Sequence, residues 1–220
     1  MNNSEDNEST HQPLGDQNMD PTHQPLDDQN CECMRCRVGP ENADKYLDSL
    51  IEKIGFAPMF IADFEPPFVY TIGLTLKGLP EIIIMGNFSA DEFNGLVMTI
   101  IPKLVEHHAD LLKTIPVPQK IPNMIDIKTE TGDVIKACIG LGEVDKNYYE
   151  HLCGIGLERY EDNLRVIQIF IPDTNGKLKG DDGFNDHWND CHAQQIPLNV
   201  FHEEVEDQDE NSDVQNIRSE

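Results

Sequence analysis

The residue types best suited to chemistry lie near the two ends of this 220-residue chain. Cys31-Glu-Cys-Met-Arg-Cys36 contains one Cys-x-x-Cys pair, Cys33 and Cys36. Far along the chain, Asp186-His-Trp-Asn-Asp-Cys-His192 offers His187, Cys191 and His192. Tetrahedral zinc takes four thiolate or imidazole ligands, and a Cys-x-x-Cys pair supplies two of them. A zinc site uniting Cys33 and Cys36 with Cys191, His192 and His187 is therefore one expectation. Free thiols or a redox-labile pair are the alternative. Cys191 and His192 are neighbours in sequence, but a nucleophile and its base are brought together by the fold, not by adjacency. His107-His108 falls on a helical stretch, where adjacent residues face different ways, so a solvated surface is the expected reading.

A second group of polar residues interrupts apolar strands. Pro67-Phe-Val-Tyr-Thr-Ile-Gly-Leu-Thr75 is followed at once by Gly78-Leu-Pro-Glu-Ile-Ile-Ile84. With period two, Phe68, Tyr70, Ile72 and Leu74 share one face, and Val69, Thr71, Gly73 and Thr75 the other. The second face is small and partly polar. Glycine in a strand marks close backbone approach, by the long helix or by a ligand. Glu81 opens an otherwise apolar strand and Gln168 interrupts Val166–Ile171. Buried carboxylates and amides need hydrogen-bond partners. They serve structure if they bond each other or Tyr70, and form a pocket floor if a ligand is the partner. Tyr70, Thr71, Gly73, Glu81, Gln168 and Asp173 are thus the candidate binding residues, with Asp173 and Gly176 also suited to a turn. Phosphate-loop, dinucleotide and serine-nucleophile signatures are absent from the sequence.

The elements that must position these residues follow from periodicity. Pro40–Gly55 reads as a helix with Tyr46, Leu47, Leu50, Ile51 and Ile54 at helical spacing. Phe56–Phe64, Phe68–Thr75 and Glu81–Met85 read as a three-stranded meander. Ser89-Ala-Asp-Glu92 is a capping box before a long amphipathic helix, in which Pro102 is expected to force a kink or a division. Pro116, Pro118 and Pro122 mark an extended connection. Met124–Thr129 and Val134–Leu141 form a hairpin, Asp145–Leu152 a short helix and Arg165–Ile171 a last strand. Residues 177–200 read mostly as loop. Clustered strands, not regularly alternated with helices, predict an α+β single domain. Its sheet is largely antiparallel, of about six strands, packed on one long helix and shorter helices.

Charge and composition set the limits. The net charge is −25. Residues 1–30 carry seven acidic groups and no Lys or Arg, and residues 203–220 carry eight and only Arg218, leaving −11 for 31–202. Thr10-His-Gln-Pro-Leu-Gly-Asp-Gln-Asn18 returns as Thr22-His-Gln-Pro-Leu-Asp-Asp-Gln-Asn30, a period of 12. These compositions predict a disordered arm, a globular domain over 31–202 and a disordered acidic tail. The charge disfavours nucleic acid and anionic membranes, and favours a basic protein partner or a cation. Residues 1–30 lack the basic start and apolar run of a secretory signal, and no stretch reaches the ~20 apolar residues of a membrane helix. Six cysteines in this pattern suit a reducing cytoplasm. The Glu-rich tail also resembles some bacterial secretion signals, which makes delivery to a host cell a second expectation.

Tyr70-Thr-Ile-Gly-Leu74, Leu79-Pro-Glu81 and Val166-Ile-Gln-Ile-Phe-Ile-Pro-Asp-Thr-Asn-Gly176 together resemble an uncharacterised bacterial family, domain of unknown function 4262. Cys33 and Cys36 match a pair that many members carry before the first helix. The resemblance covers roughly residues 33–198. Lys179-Gly180 stands where members often have Pro-Trp, and many lack the region 106–123. The resemblance implies no activity. Three functional classes follow from the residues: a soluble acidic interaction or regulatory module, including a neutraliser of a basic partner; a small-molecule or metal-dependent enzyme with its site over Thr71 and Gly73; and a structural zinc protein.

Overall fold

The computed structural model describes residues 37–114, 119–129 and 131–198. The chain divides at Asp44, and the described residues from Lys45 onward form one compact unit. Cys33, Cys36, the repeat arm and the acidic tail lie outside the described residues, as does the side chain of His192.

Helix α1 (Pro40–Ile54) carries a glutamate in its first turn and a lysine in its last, both favourable to the helix dipole. Gly55 follows at φ +91° and closes it. Strands β1 (Ala57–Ile61), β2 (Phe68–Ile72) and β3 (Glu81–Met85) form the expected antiparallel meander. The next two elements are α2 (Ala90–His107) and α3 (Ala109–Thr114), followed by β4 (Gln119–Lys128) and β5 (Val134–Glu143). Short helices α4 (Tyr149–Leu152) and α5 (Gly154–Tyr160) precede β6 (Val166–Phe170), and α6 (Asp186–Trp188) runs into a π-helical turn, Asn189–Ala193. The six strands order as β1-β2-β3-β6-β5-β4. Every neighbouring pair is antiparallel except β3–β6. The α+β fold with a largely antiparallel six-stranded sheet is thus the one expected.

One sheet face builds the main core. Val69, Ile82, Ile84, Ile167, Ile169, Ile139 and Leu141 point into it, against Phe93, Val97, Ile100, Ile101 and Leu104 of α2. The capping box forms as expected. Ser89 Oγ accepts from the Glu92 amide, and the Glu92 carboxylate accepts the Ser89 amide at 2.8 Å. Pro102, however, does not divide α2, which runs on to His107. Ile100, Ile101 and Leu104 are fully buried on both sides of the proline. Their packing offsets the missing backbone bond. The interruption comes at His108.

Other boundaries shift for identifiable reasons. β2 ends at Ile72, not Thr75, because Gly73 turns to φ +117°. β1 is shorter than Phe56–Phe64. β4 is longer than Met124–Thr129 and takes in Pro122. It lies at the sheet edge, where a residue without an amide is tolerated, and the register shifts between Ile121 and Ile125 around Asn123 at φ +59°. Helix α5 was not read from the sequence, since Gly154 and Gly156 weaken the signal. A Cβ at Gly156 would meet Leu164 and Ile72 at 3.5–3.7 Å, ordinary packing contact that an alanine could make.

Candidate functional site

Glu81 stands at the end of β3 with no solvent exposure. The Thr71 hydroxyl donates to its Oε2 at 2.7 Å, and the amides of Gly73 and Thr75 both donate to Oε1 at 2.9 Å. Thr71 Oγ1 in turn accepts the Ile82 amide at 2.9 Å. The side chains therefore complete the β2–β3 ladder where β2 turns away. Burial raises the Glu81 pKa, and these hydrogen bonds oppose the rise. Tyr70 is also pushed up by burial, then by Cys153. Burial carries the Cys153 thiol up to about 12, which suits a packing residue and not a nucleophile.

The space expected over Thr71 and Gly73 is filled by protein. A Cβ on Gly73 would lie 2.8 Å from Ile51 Cγ1 of α1. The group that approaches this glycine closely is neither a ligand nor the long helix α2 but the first helix, α1. Tyr70, Thr71 and Glu81 are each at most 2% exposed.

Gln168 and Asp173 do similar structural work elsewhere. The Gln168 amide donates to the Ile196 carbonyl at 2.7 Å and its Oε1 accepts the Leu198 amide at 2.9 Å. Gln195 adds a second clasp, accepting from Ile171 N–H at 2.6 Å and donating to Ile171 O at 2.8 Å. The segment 195–198 is thus fastened to β6 by amide side chains. Asp173 Oδ1 accepts the amides of Asn175 and Lys177, and its Oδ2 accepts that of Asn185. It closes the expected turn and ties it to the start of α6. The sequence-derived residues thus fall into three separate places. Only Tyr70, Thr71, Gly73 and Glu81 are neighbours.

Of the proposed metal ligands, His187 and Cys191 do meet, with Nδ1 and Sγ 3.3 Å apart on successive turns at the surface. Among the described residues, no group of three or more His, Cys, Asp or Glu is placed to hold an ion. His107 lies at the end of α2, 3.7 Å from Glu106, and is exposed as expected.

One concavity of this domain lies on the other side of the sheet from α2. A cleft of about 1260 Å³ opens over the C-terminal part of β5. Its floor contains Gly140, Gly142 and Phe170. A Cβ on Gly142 would come 2.9 Å from Cε2 of the Phe170 ring, and one on Gly140 3.2 Å from Phe170 Cβ. The two glycines let that ring lie against the strand and keep the floor low. Pro197 and Leu178 contribute apolar wall, and Tyr149 closes one side with its hydroxyl accepting the Val166 amide at 3.0 Å. Arg165 is fixed at one end, donating to Glu143 at 3.2 Å and to the carbonyls of Leu112 and Lys113 at 3.3 and 3.1 Å. At the other end Lys120 pairs with Asp181.

None of the sequence-derived binding residues lines this cleft. Its signal was nevertheless present. The rule that flagged Gly73 in a strand applies equally to Gly140-Leu-Gly142.

Residues 50–185 match the family described as a domain of unknown function, DUF4262. The chain belongs to that family. The match spans the sheet of the DUF4262 domain from β1 to β6, and with it the Glu81 site and the strands that form the cleft. No curated protein and no solved structure matches the chain. No helix among the described residues of this DUF4262 protein is long and apolar enough to cross a membrane.

Proposed function

We propose that this protein is a non-covalent interaction module that holds its ligand in the cleft over β5 and β6. One observation carries the reading: the cleft has a low, apolar floor made by Gly140, Gly142 and Phe170 between walls fixed by hydrogen bonds. Pre-formed concave sites with a few set polar groups are where ligands bind. Several of the ionisable groups at its edge are engaged in structure. Glu143 holds Arg165, Asp145 caps the Asn147 amide at 2.9 Å, and Tyr149 holds β6. A paired nucleophile and base is not found among the described residues of the cleft, which favours binding over covalent catalysis.

The rest of the surface adds a partner class. A net charge of −25 draws basic proteins through long-range attraction. Neutralisation of a basic partner is the form of interaction module that this charge supports, and a cytoplasmic setting suits the free thiols Cys138, Cys153 and Cys191.

The test uses Nile red, a neutral apolar dye, titrated into the full chain. One saturable site is expected, weakened at least about tenfold by Asn163→Trp, which places a bulky ring on an exposed residue at the cleft mouth. Dye binding that is unsaturable, or unchanged by that variant, would remove the cleft as the ligand site.

A further inference from the structure

We infer that the cleft is covered by this chain's own Val200-Phe201, which a ligand must displace in order to bind. This rests on the cleft being the binding site.

The first support is an uncovered ring. Of the five residues of β6, Phe170 alone is not buried. It lies in the cleft floor, where Gly140 and Gly142 leave it room. A partly exposed ring in an apolar concavity gains from a second aromatic side chain, through buried area and through ring-on-ring contact.

The second support is the place where the chain leaves the cleft wall. Gln195 is fastened to Ile171, and the Leu198 amide donates to Gln168 Oε1 at 2.9 Å. The Leu198 carbonyl accepts the Asp145 amide at 2.8 Å. Gln168 stands opposite Gly142 in the β5–β6 register, and Pro197 and Asp145 line the cleft. Leu198 is therefore held level with a floor glycine. Asn199-Val-Phe-His-Glu-Glu204 comes next in the sequence and lies outside the described residues.

Reach is sufficient. The segment 195–198 runs from Ile171 toward Gln168, away from Phe170, so a return to the ring takes a reversal. A β-turn reverses the chain in four residues and sets the first and fourth Cα within about 7 Å. Leu198 and Phe201 hold those two positions, and Asn199 is a favoured turn residue. Gln168 and Phe170 are two residues apart on one strand face, also about 7 Å. A turn over 198–201 thus brings the Phe201 side chain to the Phe170 ring.

The tether selects this occupant over a free one. A short link holds the two side chains at an effective concentration on the order of millimolar. Val200 and Phe201 are the apolar residues nearest the anchor, and the Glu203 and Glu204 carboxylates that follow keep to water. The contact is confined to two residues, which leaves it displaceable.

The experiment uses the full chain and Nile red. Phe201→Ser removes the ring and should tighten dye binding at least about fivefold, because apparent affinity scales with the fraction of molecules whose site is open. In a second variant, Phe201→p-benzoylphenylalanine, irradiation should crosslink position 201 to Phe170 or Leu178 of the same chain, and excess dye should suppress the product. Unchanged dye affinity in Phe201→Ser, a crosslink outside the cleft, or a crosslink joining two chains overturns the proposal. Dye binding that Asn163→Trp weakens and Phe201→Ser leaves unchanged keeps the cleft as the ligand site and removes only the covering segment. Dye binding that Asn163→Trp does not alter removes both.

Discussion

The Thr71 hydroxyl donates to the Glu81 carboxylate at 2.7 Å, with both residues sealed from solvent at the edge of β2 and β3. None of the groups bonded to this carboxylate is cationic; they are one hydroxyl and two backbone amides. A buried acid held by neutral donors keeps a raised pKa and gives the fold a pH dependence.

Burial lifts Glu81 above its ordinary value of 4.5. Its folded pKa therefore exceeds its unfolded one. The contribution to stability is full below the unfolded value and is lost as pH rises through the folded value. Glu81→Gln keeps an oxygen for the Gly73 and Thr75 amides and removes the ionisation. Urea midpoints measured from about pH 4 to about pH 8 should fall less steeply with pH in the variant than in the wild type. Parallel curves would show that another group carries the dependence.

Thr71→Val preserves shape and removes the hydroxyl. The Ile82 amide and a Glu81 oxygen both lose a buried partner. A loss of roughly 3 kcal/mol is expected, since each orphaned group costs ~1–3 kcal/mol. Equilibrium denaturation reads it directly, and a cost under about 1 kcal/mol would mean that water replaces the hydroxyl.

Gly73→Ala combines a backbone conformation at φ +117° with a Cβ 2.8 Å from Ile51 Cγ1. The conformation alone costs ~1–3 kcal/mol. Pairing it with Ile51→Ala should recover the overlap and not the backbone strain. In a double-mutant cycle, additive losses would mean that Ile51 does not press on this position.

Pro102→Ala restores an amide inside α2 without changing the core contacts of Ile100, Ile101 and Leu104. Alanine is favoured over proline in a helix interior by up to ~3 kcal/mol. The melting temperature should rise. A fall would show that the ring itself packs against a neighbour.

Cys191 is exposed and Cys153 is buried, with its thiol up at about 12. Iodoacetamide at neutral pH followed by peptide mapping should label Cys191 in the native protein. Cys153 should be labelled only under denaturing conditions. Fast native labelling of Cys153 would mean that the α4–α5 region opens readily.

Much of the fold was written in local patterns. Alternation predicted β2, short apolar runs predicted β3 and β6, the Ser89–Glu92 box predicted the start of α2, and Thr131-Gly132-Asp133 predicted the β4–β5 turn, where Thr129 N–H meets the Asp133 carbonyl at 2.8 Å. Boundaries failed where a distant group intervened. β2 stops early because the Glu81 carboxylate captures the Gly73 and Thr75 amides, and Glu81 lies eight residues beyond Gly73. Helix α2 survives Pro102 because the core on either side is complete.

The candidate site divides in the same way. From sequence alone, Thr71, Gly73, Glu81 and Gln168 are recognisable as residues that must find partners, because polar groups and glycines in apolar strands cannot stand unexplained. Which partners they find is a tertiary matter. Ile51 fills the space beside Gly73, and Ile196 and Leu198 occupy Gln168. The cleft was hidden for a related reason. Its floor and walls come from β4, β5, β6 and the segments 144–149, 162–165, 178–179 and 195–197, stretches separated along the chain. Only the pairing of β5 with β6 sets Phe170 against Gly142, and no local pattern records a contact between residues so distant.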